Sequence, residues 1–123
     1  PADGGSCTTV AGGNGWGNAA NQLGYPWDVA IEQGVDGAVA AYVTTDKYFG
    51  HVQRCAPLDG GVCTTVAGGN GQGMSENQLF NPAGVVIEQA ADGAVAAYVA
   101  VDRGNNRVQR CASAAGGNCT TVA

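Results

Sequence analysis

The nine-residue run Cys7-Thr8-Thr9-Val10-Ala11-Gly12-Gly13-Asn14-Gly15 returns unchanged at Cys63 to Gly71, and its first five residues return once more at Cys119 to Ala123. Each copy begins 56 residues after the last, and residues 7–62 and 63–118 align without a gap at 34 identical positions. A period of this length means a tandem array of supersecondary units, each too small to bury its apolar face alone. Such units are stabilised mainly by their neighbours, and about three are usually needed. Two units and a fraction are expected to be marginal in isolation.

The cysteines follow the period. Cys55 and Cys63 are eight residues apart, as are Cys111 and Cys119, and each pair brackets a turn-rich stretch. That spacing is much wider than a zinc knuckle, and the chain has a single histidine. Two disulfides, Cys55–Cys63 and Cys111–Cys119, each closing a β-hairpin, are expected; free cysteines buried between strands are the alternative. Disulfides place a protein outside the reducing cytosol, so an extracellular or secretory location follows. Cys7 is left over, because a partner eight residues earlier would precede Pro1. Either the chain is cut from a longer array or Cys7 pairs elsewhere, conceivably with another copy.

Within a unit, Pro26 or Pro82 holds the chain extended before Val29-Ala30-Ile31-Glu32 or Val85-Val86-Ile87-Glu88, which read as short strands. Asp36-Gly37 and Asp92-Gly93 are the dipeptide typical of a two-residue hairpin. A second strand, Ala38 to Thr44 or Ala94 to Ala100, sets Val39, Ala41 and Val43 on one face and Ala40 and Tyr42 on the other. Val52-Gln53-Arg54-Cys55 and Val108-Gln109-Arg110-Cys111 give a third strand, and Cys63 to Ala67 a fourth. The fold class is therefore all-β: four short antiparallel strands per unit, in meander order, describe a propeller blade. A linear β-solenoid is the rival, although its coils are usually shorter and lack Asp-Gly hairpins.

Pro-x-x-Val-x-Ile-Glu, then Asp-Gly-x-Val with Tyr-Val and Asp, then Asn105-Asn106-Arg107-Val108-Gln109-Arg110, with Val-Ala-Gly-Gly-Asn-Gly and Asn-Gln-Leu, resemble the NHL repeat over nearly the whole chain. The resemblance implies six-bladed propellers or longer arrays. The second unit is the closer match; the first has Phe49-Gly50-His51 where the signature falls. Both units carry extra residues in Glu32 to Gly37 and at the Ala40-Ala41 or Ala96-Ala97 pair. On this frame residues 1–12 are the fourth strand of a preceding blade, 13–68 the first blade and 69–123 the second.

Several function classes fall away on composition. Net charge is −5, with only Lys47, Arg54, Arg103, Arg107 and Arg110 as cations, so no broad basic surface exists to neutralise nucleic-acid phosphates. No apolar run approaches the ~20 residues of a membrane-spanning helix. Some NHL-like propellers are enzymes holding a metal with several histidines and acids. Here His51 stands alone and reads as a surface residue beside a turn, so no catalytic residue, metal site or cofactor is assigned. Asp36, Asp46, Asp92 and Asp102 recur, and the first explanation is turn chemistry, with Asp side chains bonding nearby amides. Glu32 and Glu88 end the first strands and could line a channel mouth. The glycine run at Gly12 to Gly17 lacks the Lys-Ser/Thr of a phosphate loop and reads as a tight turn. Trp16, Tyr25 and Trp27 occur in the first unit only; packing between blades is the leading reading, an exposed patch for glycan or protein contact the second. Asn118-Cys119-Thr120 is a formal glycosylation sequon.

These residues point to an extracellular structural or interaction module rather than an enzyme. Its partners are other copies of itself or further blades of a longer chain, with other proteins or glycans as further partners. Cys7, Thr8, Thr9, Val10 and Ala11 form a fourth strand with no first three before it, and are expected to pair with the third-strand edge of a preceding blade. Head-to-tail pairing without ring closure would give a filament. The alternative is a fragment of an NHL-propeller enzyme or ligand-binding protein whose site lies in other blades.

Overall fold

The structure is a computed structural model and describes residues 5–57, 62–113 and 117–123. It contains two four-stranded antiparallel sheets in simple meander order. The first runs β1 (Pro26–Gln33), β2 (Val39–Asp46), β3 (His51–Cys55), β4 (Cys63–Gly68). The second runs β5 (Pro82–Gln89), β6 (Val95–Asp102), β7 (Arg107–Ala112), β8 (Thr120–Thr121), with a 3₁₀ turn over Arg103–Asn105. An antiparallel meander within each unit is what the Asp-Gly turns require, and it is not the coil of a solenoid.

The Asp-Gly turns differ from expectation by one residue. Gly34 N–H donates to Ala38 O at 2.8 Å and Gly37 N–H to Gly34 O at 3.0 Å, so the loop is the three residues Val35 to Gly37, with Gly37 at φ 83°. Ala90 to Ala94 repeats the pattern, with Gly93 at φ 86°. This is a turn closed by a left-handed glycine, a common three-residue hairpin, and a bulge lies farther along the strands. The bulge falls where Glu32 pairs Ala41 and Gln33 pairs Val39, leaving Ala40 unopposed; Ala96 is its counterpart. Asp36 and Asp92 do serve the turn, accepting from Ala38 N–H and Ala94 N–H at 3.0 Å each.

Cys55 and Cys63 face each other across β3 and β4 and are bonded, with Cα atoms 4.1 Å apart. Cys111 and Cys119 are bonded with the same Cα separation. Such a short distance belongs to a directly opposed pair without ladder hydrogen bonds.

Each sheet is preceded by a loop of the same build. Asn14 donates to Gly12 O and Asn21 O, and Gln22 to Asn14 O; Asn70 and Gln78 repeat those bonds at Gly68, Asn77 and Asn70. Gly17 and Gly73 leave room for these glutamines, since a Cβ would lie 2.2 and 2.3 Å from the Gln22 and Gln78 side-chain oxygens and displace them. Cys63 N–H donates to Ala20 O and Cys119 N–H to Glu76 O, both at 2.7 Å, tying each loop to the last strand of its own unit.

The two sheets share one core. Val43, Val52 and Ala67 of the first pack with Leu79, Val85, Tyr98, Ala100, Cys111 and Cys119 of the second unit. The approach is closest between β1 and β5. Burial differs sharply between equivalent residues: Val29 is 59% exposed and Val85, on the face of β5 that meets the first sheet, only 4%.

Candidate functional site

The leading segment has the sequence of β4 without its partner. In β4, Thr64 and Thr65 pair with Arg54 and Gln53, and the Thr65 hydroxyl donates to Gln53 Oε1 at 2.5 Å. Thr121 does the same to Gln109 at 2.6 Å. Cys7, Thr8, Thr9 and Val10 are exposed and Ala11 half-buried; they join no ladder, and Cys7 is a free thiol. The turn beyond them is already formed. Gly12 and Gly13 have φ of 67° and 80°, against 66° and 83° at Gly68 and Gly69, and Gly13 lies against Thr9 as Gly69 lies against Thr65. The segment thus leaves the first loop along the β4 path with an unfilled edge.

The junction between the sheets is polar at its margins. Arg54 forms a two-pronged pair with Glu32, both bonds at 2.8 Å, on the face that meets the second sheet. Across the junction the Arg54 guanidinium lies close enough to the Tyr98 hydroxyl for the two to interact electrostatically. The Glu32 bond raises the Arg54 pKa, while burial, and then the Glu32 charge, raises that of Tyr98. Gln89 clips the sheets together: its Oε1 accepts from Gln33 N–H at 3.1 Å, and its Nε2 donates to Gln33 O at 2.9 Å. Asp28 Oδ2 accepts from Val85 N–H at 3.0 Å, and the Thr45 hydroxyl donates to Ala83 O. Glu32 is therefore held in an ion pair at the sheet junction. Glu88 pairs with Arg110 in the same way at 3.0 and 2.8 Å but lies exposed; that bond lowers the Glu88 pKa and raises that of Arg110.

His51 is not at the surface. It is 4% exposed and its Nε2 lies 3.1 Å from Asp46 Oδ2. Asp46, wholly buried, also accepts from Gly24 N–H and Tyr25 N–H at 2.9 Å each. Burial pushes the Asp46 carboxyl up, but the His51 bond and the two amides outweigh it and hold the pKa below its ordinary value. In the second unit Asp102 accepts from Phe80 N–H, Asn105 and Arg107 at 2.7 to 2.9 Å. The expectation that these aspartates serve local turns is corrected: their amides come from a loop more than twenty residues earlier. At position 51 or its equivalent 107, either side chain can pin that loop through the carboxylate. Arg107 occupies the equivalent place and cannot act as a proton shuttle, so the shared role is structural.

The first-unit aromatics lie mostly on the surface rather than between the sheets. Trp16 is 60% exposed, with its ring 4.8 Å from Tyr48 and 5.2 Å from Phe49. Tyr25 and Trp27 are 5.9 Å apart beneath Lys47, and Arg103 of the second unit lies 5.2 Å from Trp27. Asn118 is exposed beside Cys119. Among the described residues no three of His, Cys, Asp and Glu converge, and no helix is long and apolar enough to cross a membrane.

Gln33, Gln89 and Asp28 hold the junction without being marked in the sequence. Glu-Gln recurs at 32–33 and 88–89, but nothing in that pattern says that a glutamine amide reaches the next sheet's backbone. The chain matches no protein-family model and no curated protein sequence.

Proposed function

We propose that this chain is an extracellular structural or interaction module of NHL-type propeller blades, which assembles with further blades or copies through Cys7 to Ala11. The observation that carries this reading is the leading segment: it has the sequence of a fourth strand, its turn is formed, and its Thr9 hydroxyl has no hydrogen-bond partner among the described residues. Four-stranded meanders that pack face to face and approach most closely at their first strands support the blade reading. The two disulfides point to an oxidising environment, which supports the extracellular location.

In another copy the β7 edge already carries Thr120–Thr121, a strand of only two residues. Insertion of Cys7 to Ala11 at that edge exchanges one strand for another of identical sequence. Removing residues 1–12 is expected to leave a monomer at concentrations where the intact chain assembles, with both disulfides still formed. Sedimentation of the two proteins side by side, with masses taken before and after reduction, makes the comparison; unchanged particle size overturns the proposal.

A further inference from the structure

The junction between the sheets is asymmetric, and each half of it is repeated at an open end. The face of the first sheet that meets the second carries Glu32, Val43, Val52 and Arg54. Fifty-six residues on, the second sheet turns the same face outward, with the Glu88–Arg110 pair, half-buried Val99 and Val108, and Val86 at 61% exposure. The face of the second sheet that is covered carries Val85, Ile87, Tyr98 and Ala100. Its counterpart on the first sheet is open along β1, with Val29 and Ile31 at 59% and 48% exposure beside half-buried Tyr42, while Thr44 and Gln53 farther across the same face are buried.

We infer that these two open faces bind each other between copies: the second sheet of one molecule receives the first sheet of the next, in the register the two sheets already use within one chain. This deepens, and rests on, the assembly reading above. The Tyr42 hydroxyl of the next copy then meets Arg110 as Tyr98 meets Arg54, and its Gln33 amide clips the Gln89 backbone as Gln89 clips Gln33. The faces are different surfaces, so the contact is heterologous and each addition exposes a fresh acceptor. Two internal bonds have no equivalent, because Gly84 stands in place of Asp28 and Val101 in place of Thr45. The contact between copies is accordingly weaker than the one within a chain, and reversible. In this register Cys7 to Ala11 of the incoming copy falls where Cys119 to Ala123 of its neighbour lies, so docking and strand exchange use one geometry.

The test uses two full-length variants, Val29→Lys with Ile31→Lys on one face and Val86→Lys with Val99→Lys on the other. Each alone is expected to self-associate at least about tenfold more weakly, because the contact would bury unpaired charge. Mixed, they retain one intact face each and are expected to form a one-to-one dimer and nothing longer in sedimentation equilibrium. Tyr42→Phe, which removes no side-chain hydrogen bond among the described residues, is expected to weaken assembly by about fivefold. A single face variant that assembles like the unaltered chain, a mixture that stays monomeric, or an unaltered chain that is monomeric throughout overturns the inference. The leading-strand reading fails separately. If the chain lacking residues 1–12 still assembles while the face variants do not, the faces stand and the strand falls; if the face variants assemble and the shortened chain does not, the strand stands and the faces fall.

Discussion

At the scale of single residues, His51 shows how a repeat can settle a role that a lone side chain leaves ambiguous. A buried histidine on a buried carboxylate has the ingredients of proton transfer, yet Arg107 makes the equivalent bond to Asp102 and continues on to Met74 O at 3.0 Å. Both side chains hold the preceding loop to the start of a third strand. His51→Ala would strand a buried carboxylate with two amide bonds, and is expected to cost roughly 1–3 kcal/mol of stability in denaturant titrations. His51→Arg is expected to recover most of that. The same site sets an acid limit. The Asp46 pKa is lowered in the folded state, so its contribution is fully present above the unfolded value of about 3.9 and is lost as pH falls through the lower folded value. Thermal unfolding followed from pH 6 downward should fall at and below about pH 4, and in His51→Ala the Asp46 part of that loss should be smaller, because the folded value moves up toward the unfolded one.

At the scale of elements, the hairpin disulfides and the glycine-pinned loops cooperate. Each disulfide closes a short loop, and in the chain-entropy picture contributes about 2–3 kcal/mol by restricting the unfolded chain. Replacing Cys55 and Cys63 together by Ala is therefore expected to lower stability by that order, read as a shift in denaturant midpoint without a large change in slope. Gly73→Ala tests the loop instead. The added methyl would meet Gln78 Oε1 at 2.3 Å, so Gln78 must abandon its bonds to Ser75 and Asn70. Faster amide exchange at Ser75 and at Cys119, whose amide bonds Glu76 O, would report that release. Strands, pairing order and cysteine spacing were legible because period-two alternation, Asp-Gly turns and an eight-residue spacing each have a local physical cause. The three-residue hairpin was not, since the choice between two and three residues depends on where the ladder ends, and Ala40 offers no signal that it is a bulge. Nor was the burial of His51 and Glu32, or the reach of Asp28 to the Val85 amide of the second sheet, because these contacts are set by tertiary packing rather than by near neighbours in sequence.

At the scale of the whole molecule, burial is set by position in the stack rather than by residue type. Val29 and Val85 are the same residue type at equivalent positions of β1 and β5, and only the second lies on a face packed against the other sheet. The pattern of exposed apolar side chains on this chain thus follows which neighbours are present, and the assembly proposed above is one arrangement that would cover them. The aromatic group at Trp16, Tyr25, Trp27 and Tyr48 does not repeat in the second unit and stays apart from that logic. If assembly places it along a particle at intervals of one molecule, substitution of Trp16 by Ala is expected to leave particle size unchanged, a point that light scattering can check.

The glutamine clip and the Glu–Arg–Tyr contact carry one more implication. Each unit brings a donor half of the junction on one face and the receiving half on the other, both encoded within the same 56 residues. Gain or loss of a whole unit therefore keeps the glutamine clip and the arginine–tyrosine approach in step, whereas a change by any other number of residues separates Gln33 from Gln89 and leaves an arginine facing no tyrosine. A chain built this way can vary in length by counting in units, with no new interface to invent at the join.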